Sequence, residues 1–289
     1  MKNKIVVILF IFLSGIYSCD IVSDPFDHTT PDNNGDLCPD DSFPVINAHR
    51  VVLVEDYTGH RCTACPQAAI AATKLEQTFG DSVIIMALHA NFFATVHTPD
   101  YPENFKTPAG DAYDTQFGFA SWPNGLVNRK DYPNNTHIKS YGSWAAEVSQ
   151  LLKTPLEAEL QLKGHYNNTD SSICISTQTK FLTTALPAGT YKLCLLLTQD
   201  SIIAPQLDGT ARIPDYVHMH MLRDNITPVW GDTLITGSIT PTPVIKKYQY
   251  KIKANYNGIA CKEKDCRIIA FVYDNATYRI LQAQELKIK

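Results

Sequence analysis

Two cysteines separated by two residues, Cys62-Thr63-Ala64-Cys65, are the side chains of this sequence best suited to chemistry. A pair at that spacing can close a disulfide, and the thiolate of one member can attack the disulfide of another protein. The surroundings favour a thiolate. Residues 51–54 are an apolar run that reads as a strand, residues 55–61 as a turn, and the Ala-rich stretch 62–79 as a helix. That order puts Cys62 at a helix N-terminus, where unpaired N–H groups and the helix dipole stabilise negative charge. Arg61 and His60 add positive charge beside it. Two other readings stay open: a permanently oxidised structural disulfide, and half of a zinc site. Zinc needs two more ligands, and the chain has no second CxxC, which leaves His60 and His89. His218 and His220, two apart on one expected strand face, either hold a metal or are half-exposed strand residues. No metal and no cofactor is expected.

The elements that must position the pair follow in order. Gly80-Asp81 stops the helix, and residues 82–89 read as a second, buried strand. Strand, helix and strand make a parallel pair with a right-handed crossover. An aromatic and Pro-rich insertion covers 90–107, and Asn91–Tyr101 either lines a groove for an extended peptide or folds its aromatics onto the core. A short helix at 108–117 and another at 136–152 complete this part. Strand alternation points Glu55 and Asp56 to opposite faces.

The order of these elements resembles the thioredoxin fold. The resemblance implies that the CxxC opens the first core helix and that a cis-proline before the next strand faces the cysteines. Pro123, after Trp122 and before Leu126-Val127, matches that position. It also implies a buried carboxylate six residues before the first cysteine, and Asp56 has that spacing. Asp56 then either takes the proton of Cys65 or caps the turn. The blocks Glu55-Asp56-Tyr57-Thr58-Gly59-His60-Arg61-Cys62-Thr63-Ala64-Cys65-Pro66, Tyr101-Pro102 to Gly110, and Trp122-Pro123-Asn124-Gly125 to Lys130 resemble the Omp28-related outer-membrane lipoproteins of Bacteroidota. They span about residues 50–130, and 216–223 with Trp230-Gly231 extends the likeness more loosely. The resemblance implies a thioredoxin-like domain joined to a β-rich domain.

The N-terminus reads as an export signal. Lys2 and Lys4 precede an apolar run at 5–12, too short to span a membrane with the usual flanks, and Ser18-Cys19 resembles a lipobox. Residues 1–18 are then a lipoprotein signal peptide, with Cys19 as the lipid-bearing first residue. Residues 19–47, rich in Asp, Pro, Asn and Gly, read as a disordered tether. The acidic residues after Cys19 also resemble surface-export signals of Bacteroidota lipoproteins.

The remaining stretch of roughly 245 residues suits two domains. We expect a thioredoxin-like α/β domain at 48–153 and an all-β, immunoglobulin-like sandwich at 154–289, where short alternating segments recur between turn signals. A net charge of −4 without a basic stripe gives no sign of nucleic-acid binding. Eight cysteines in an exported chain point to an oxidising compartment. Cys38 is the expected odd thiol, with Cys174–Cys194 and Cys261–Cys266 as candidate disulfides.

Two functions compete. One is a lipid-anchored oxidoreductase of the outer membrane, on its periplasmic side or at the cell surface, acting on exported proteins or peptides with an unknown redox partner. Cys62 attacks, Cys65 resolves, Asp56 assists and Pro123 shapes the docking surface. The other is a surface-binding, adhesin-like lipoprotein in which the CxxC is a structural disulfide.

Overall fold

A computed structural model describes residues 38, 39 and 41–289. The expected signal peptide, Cys19 and the tether up to residue 37 lie outside the described residues. The elements, in chain order, are β1 (Val52–Thr58), α1 (Cys65–Phe79), β2 (Val83–His89), α2 (Pro108–Phe117), β3 (Asn124–Val127), α3 (Trp144–Leu151), β4 (Ala158–Asn167), β5 (Ser172–Phe181), β6 (Gly189–Gln199), β7 (Ile202–Asp208), β8 (Ala211–His218), β9 (Met221–Asn225), β10 (Asp232–Gly237), β11 (Val244–Lys251), β12 (Asn255–Tyr256), β13 (Ile259–Ala260), β14 (Cys266–Asp274) and β15 (Ile280–Lys287). No helix among the described residues is long and apolar enough to cross a membrane.

The strand–helix–strand unit forms as its pattern requires. β1 and β2 are buried along their whole length and pair in parallel, Val52 opposite Val83 and Asp56 opposite Ala87. Between them, α1 buries Ala68, Ala72 and Leu75, one stripe at helical spacing. Gly80, at φ +51°, ends it in a conformation that suits glycine. Thr107 caps α2 by accepting the Gly110 N–H at 3.0 Å. A cis Trp122–Pro123 bond precedes β3, which pairs antiparallel to β1.

The main sheet runs β15-β14-β6-β9-β2-β1-β3, with β10 also on β6. It is mixed: β1, β2 and β9 are parallel neighbours, and the remaining pairs are antiparallel. Strands from 48–153 and from 154–289 therefore share one sheet, joined where Ala87 pairs with Met221. Leu53, Met86 and Leu88 from the first stretch share a core with Leu196, Phe271 and Ala283 from the second. The opposite face of β6 and β14 presents Leu193, Leu195, Leu197, Ile268 and Val272 to a smaller sheet, β11-β5-β4, with Leu160, Ile175 and Tyr248 across the interface. Burial on both faces explains why Leu193–Leu197 is a continuous apolar run rather than an alternating one.

The cysteine pairing differs from expectation. Cys174 bonds to Cys38, while Cys194, Cys261 and Cys266 are free thiols. Strand alternation explains the first difference. Ile173 and Ile175 face the inner core of β5, so Cys174 faces outward to Cys38, and Cys194 belongs to the core on the far side of the main sheet. The Sγ atoms of Cys261 and Cys266 lie 3.5 Å apart, adjacent but unbonded. The strand expected through 216–222 is broken: β8 ends at His218, His220 takes φ +56°, and β9 starts at Met221.

Candidate functional site

Cys62 and Cys65 form a disulfide between the end of β1 and the start of α1. Cys65 is the first helical residue, not Cys62, because Gln67 N–H bonds back to Ala64 and the preceding residues close a separate turn. In that turn the Cys62 N–H donates to Gly59 O at 3.0 Å. Gly59 itself must be glycine-sized, since a Cβ there would lie 2.5 Å from the Phe93 Cβ.

Of the two neighbouring basic residues, His60 departs from the expectation. Arg61 Nη1 donates to Phe92 O and Thr95 Oγ1, both at 3.4 Å, and its guanidinium stands 4.2 Å over the Phe92 ring. Burial pushes His60 down to about 4, so its imidazole is neutral near pH 7 despite its hydrogen bond to Thr95 O. The insertion folds part of its apolar side chains onto the core. Ala94, Tyr101 and Phe105 are buried, while Phe92 and Val96 are exposed. Phe93 packs between Gly59 and Trp122, with ring centroids 5.5 Å apart on the Trp122 side, and so links the CxxC turn to the residue before Pro123.

Asp56 and Glu55 do face opposite ways. Glu55 pairs with Arg129 in the core, at 2.7 and 2.8 Å. Asp56 lines a cavity of about 150 Å³ that Cys65, His89, Gln206, His218 and His220 also line. Burial raises the Asp56 carboxyl to about 7, with the positive side of His220 opposing the shift, and its Oδ1 has no hydrogen-bond partner. Burial opposes a charge on His220 too, but Glu76, at 3.2 Å, and Asp200 raise its pKa.

Beside the cavity, three buried histidines surround Phe105. His60, His89 and His218 lie 4.9, 5.1 and 5.2 Å from its ring. Burial holds His89 well below the usual range and His218 at about 3. His60 Nδ1, His89 Nδ1 and His218 Nε2 have no partner. Among the described residues, no group of three or more His, Cys, Asp or Glu side chains is arranged to hold a metal. His218 and His220 do not share a strand face, since the chain turns between them.

One element of the site went unrecognised in the sequence. The β7–β8 hairpin, a two-stranded sheet of its own, lies over the CxxC turn. Leu207 N–H donates to His60 O and Gly209 N–H to Thr63 O, each at 2.8 Å. Gln206 Nε2 donates to Cys62 O at 3.1 Å and Gly59 O at 3.3 Å. Under it, Cys62 and Cys65 are each only 2 % exposed. Asp208-Gly209 is legible as a turn, but nothing local says where the hairpin docks.

A family model described as outer membrane protein Omp28 matches residues 110–289. The chain belongs to the Omp28 family. The location expected from the sequence, an exported outer-membrane lipoprotein, agrees with this membership. The Omp28 match starts at Gly110, so it contains Pro123 and the hairpin but not the cysteine pair. Among solved structures, HBP35 of Porphyromonas gingivalis is similar with a TM-score of 0.64 at 18 % identity, over 83 % of this chain and 76 % of that one. Protein AGR_C_4864 from Agrobacterium tumefaciens has a TM-score of 0.49 at 13 % identity, over 84 % and 97 %. A domain of the outer membrane lipoprotein Omp28 from Porphyromonas gingivalis has a TM-score of 0.32 at 16 % identity, over 47 % and 91 %. No curated protein is a significant match. The likeness to HBP35 concerns the fold: a mixed sheet with a parallel β-α-β unit and smaller antiparallel sheets.

Proposed function

We propose that this Omp28 family member exchanges thiols and disulfides with exported polypeptides. The observation that carries the reading is a buried carboxyl poised near neutrality in the same cavity as Cys65. A group half protonated near pH 7 can both give and take a proton. An incoming thiolate attacks Cys62 Sγ, the Cys62–Cys65 bond breaks, and the new S–S bond joins the substrate to Cys62. Cys65 leaves as a thiolate and takes a proton from the Asp56 acid. A second substrate thiol then attacks the mixed disulfide, leaving an oxidised substrate and two protein thiols. The reverse sequence reduces a substrate, with Asp56 as base. Pro123 shapes the docking surface. For the fold, the finer reading is a thioredoxin-like part at 48–153 and an immunoglobulin-like sandwich in which β4, β5 and β11 face β6, β14 and β15.

The test is a redox titration with differential alkylation of each cysteine. Cys62–Cys65 is expected to titrate between roughly −100 and −280 mV, the range of exchange catalysts, and Cys65→Ala to trap mixed disulfides on Cys62. A pair that stays closed below about −300 mV behaves as a structural bridge. The burial of both sulfurs favours that second reading, in which the protein is a surface-binding lipoprotein. Anchoring has its own test. Lipid on Cys19 holds the protein in the membrane, so Cys19→Ser releases it into the soluble fraction, and unchanged retention refutes that anchor.

A further inference from the structure

We infer that the β7–β8 hairpin occupies, within its own chain, a docking edge for an extended cysteine-bearing polypeptide, and that this partner displaces it to reach Cys62–Cys65. The inference rests on the exchange reading for its chemistry, but not for the cover itself.

The hairpin holds the cysteine turn through its main chain. Leu207 and Gly209, two residues apart, present their N–H groups to His60 O and Thr63 O on either side of Cys62. Main-chain carbonyls such as these accept from any visiting backbone without regard to its side chains. The acceptors sit in the turn that holds the sulfurs, so a strand bonded to them runs past the reactive bond. Gln206 adds side-chain bonds to Gly59 O and Cys62 O that a visiting strand need not copy.

The cover is also poorly sealed. Beneath it lie the cavity and three unpartnered polar atoms, Asp56 Oδ1, His60 Nδ1 and His89 Nδ1, and the hairpin's own His218 Nε2 is a fourth. Buried groups without partners lose their hydration for nothing in return, and lifting the hairpin restores it. That gain offsets part of what opening costs, which is the hairpin's bonds and the packing of Ile202 and Ala204 against Ala94 and Phe105. On the outside, Ile203, Val217 and Met219 are exposed apolar side chains on the hairpin and the turn after it. The hairpin pairs with neither the main sheet nor the smaller one. It can therefore move without breaking either ladder.

Two substitutions weaken the cover without touching the cysteines. Gly209 has φ +58° and open space where a Cβ would sit, so Gly209→Ala acts through backbone strain alone. Gln206→Met keeps the side-chain length and removes the donors. In the full-length protein in detergent, reduction of Cys62–Cys65 by a water-soluble phosphine, followed by alkylation and mass spectrometry, reads the open fraction. Gly209→Ala is expected to speed reduction about 5- to 30-fold, the factor set by a left-handed non-glycine residue, with Gln206→Met in the same direction. Wild-type rates in both folded variants overturn the cover. The occupant is tested on Cys65→Ala, whose Cys62 thiolate attacks a peptide disulfide, forms a mixed disulfide and releases one peptide thiolate. An extended peptide is expected to react faster than hydroxyethyl disulfide and to lose that advantage when the amides flanking its cysteine are N-methylated. Equal rates for the methylated and unmethylated peptides overturn backbone docking. A faster phosphine reaction with a potential below about −300 mV keeps the cover and removes the exchange reading. A potential in the exchange range with unchanged phosphine rates does the opposite.

Discussion

Asp56→Asn will make the protein more stable above pH 7 and, on the exchange reading proposed above, slow its exchange. The carboxyl titrates at about 7 in the fold, raised chiefly by burial, against about 3.9 in an unfolded chain. A raised carboxyl binds its proton more tightly when folded. Between those two pH values the folded protein keeps the proton and the unfolded chain has lost it, so stability falls as pH rises from about 4 to about 7. The shift corresponds to a loss on the order of 4 kcal/mol, complete above pH 7. Asparagine has no charge to bury and removes that slope. Denaturant unfolding of both proteins from pH 4 to 8 measures it. Parallel stability curves would sink the assignment. On the exchange mechanism proposed above, the same substitution also removes the proton donor to Cys65, and loss of a general acid–base typically costs about 10²- to 10⁴-fold in rate. A more stable but slower variant separates a proton-transfer role from a structural one.

Glu55→Gln acts in the other direction. Glu55 and Arg129 are both fully buried and joined by two hydrogen bonds. The guanidinium also lies 4.5 to 5.8 Å from the rings of Tyr113, Phe117, Phe271 and Tyr273. Its Nη1 has no hydrogen-bond partner. Glutamine keeps the volume but leaves a buried cation without a counter-charge, which costs about 3–5 kcal/mol. Arg129 also holds φ +51°, next to Asn128 at φ +49°, and the pair with Glu55 helps keep that backbone in place. The urea midpoint should fall at constant m-value. Replacing both residues by methionine should recover most of the loss, because two apolar groups need no partner. A single-variant cost under about 1 kcal/mol would contradict the buried pair as an ionic one.

What could be read from the chain was mostly local. β1, α1 and β2 follow from two apolar runs and an Ala-rich stripe, and Glu55 and Asp56 part by strand alternation alone. The start of α1 moved from Cys62 to Cys65 because turn and first helical turn use similar residues, and only hydrogen bonding separates them. Cys174 and Cys194 looked like partners on consecutive strands. Which face each side chain takes depends on which sheet the strand joins, and that is a tertiary fact. His60 read as a cation beside a thiolate, yet burial keeps it neutral. The hairpin over the cysteines was the least legible part. Its turn, Asp208-Gly209, is visible, but β7 is not legible as a strand and β8 only from residue 216 on, and its docking uses main-chain atoms that every residue carries.

The single ladder that runs from β15 to β3 bears on how this protein can be divided. β2 has β1 on one side and β9 on the other, and β9 comes from far along the chain. A gene fragment ending near Pro155 would lose the Ala87–Met221 pairing that joins β2 to β9. It would also lose Leu196, Phe271 and Ala283, which close the core over Leu53 and Met86. Such a fragment is not a small redox module waiting to be cut out. The cysteine turn and the strands that finish its sheet have to be inherited, expressed and engineered together.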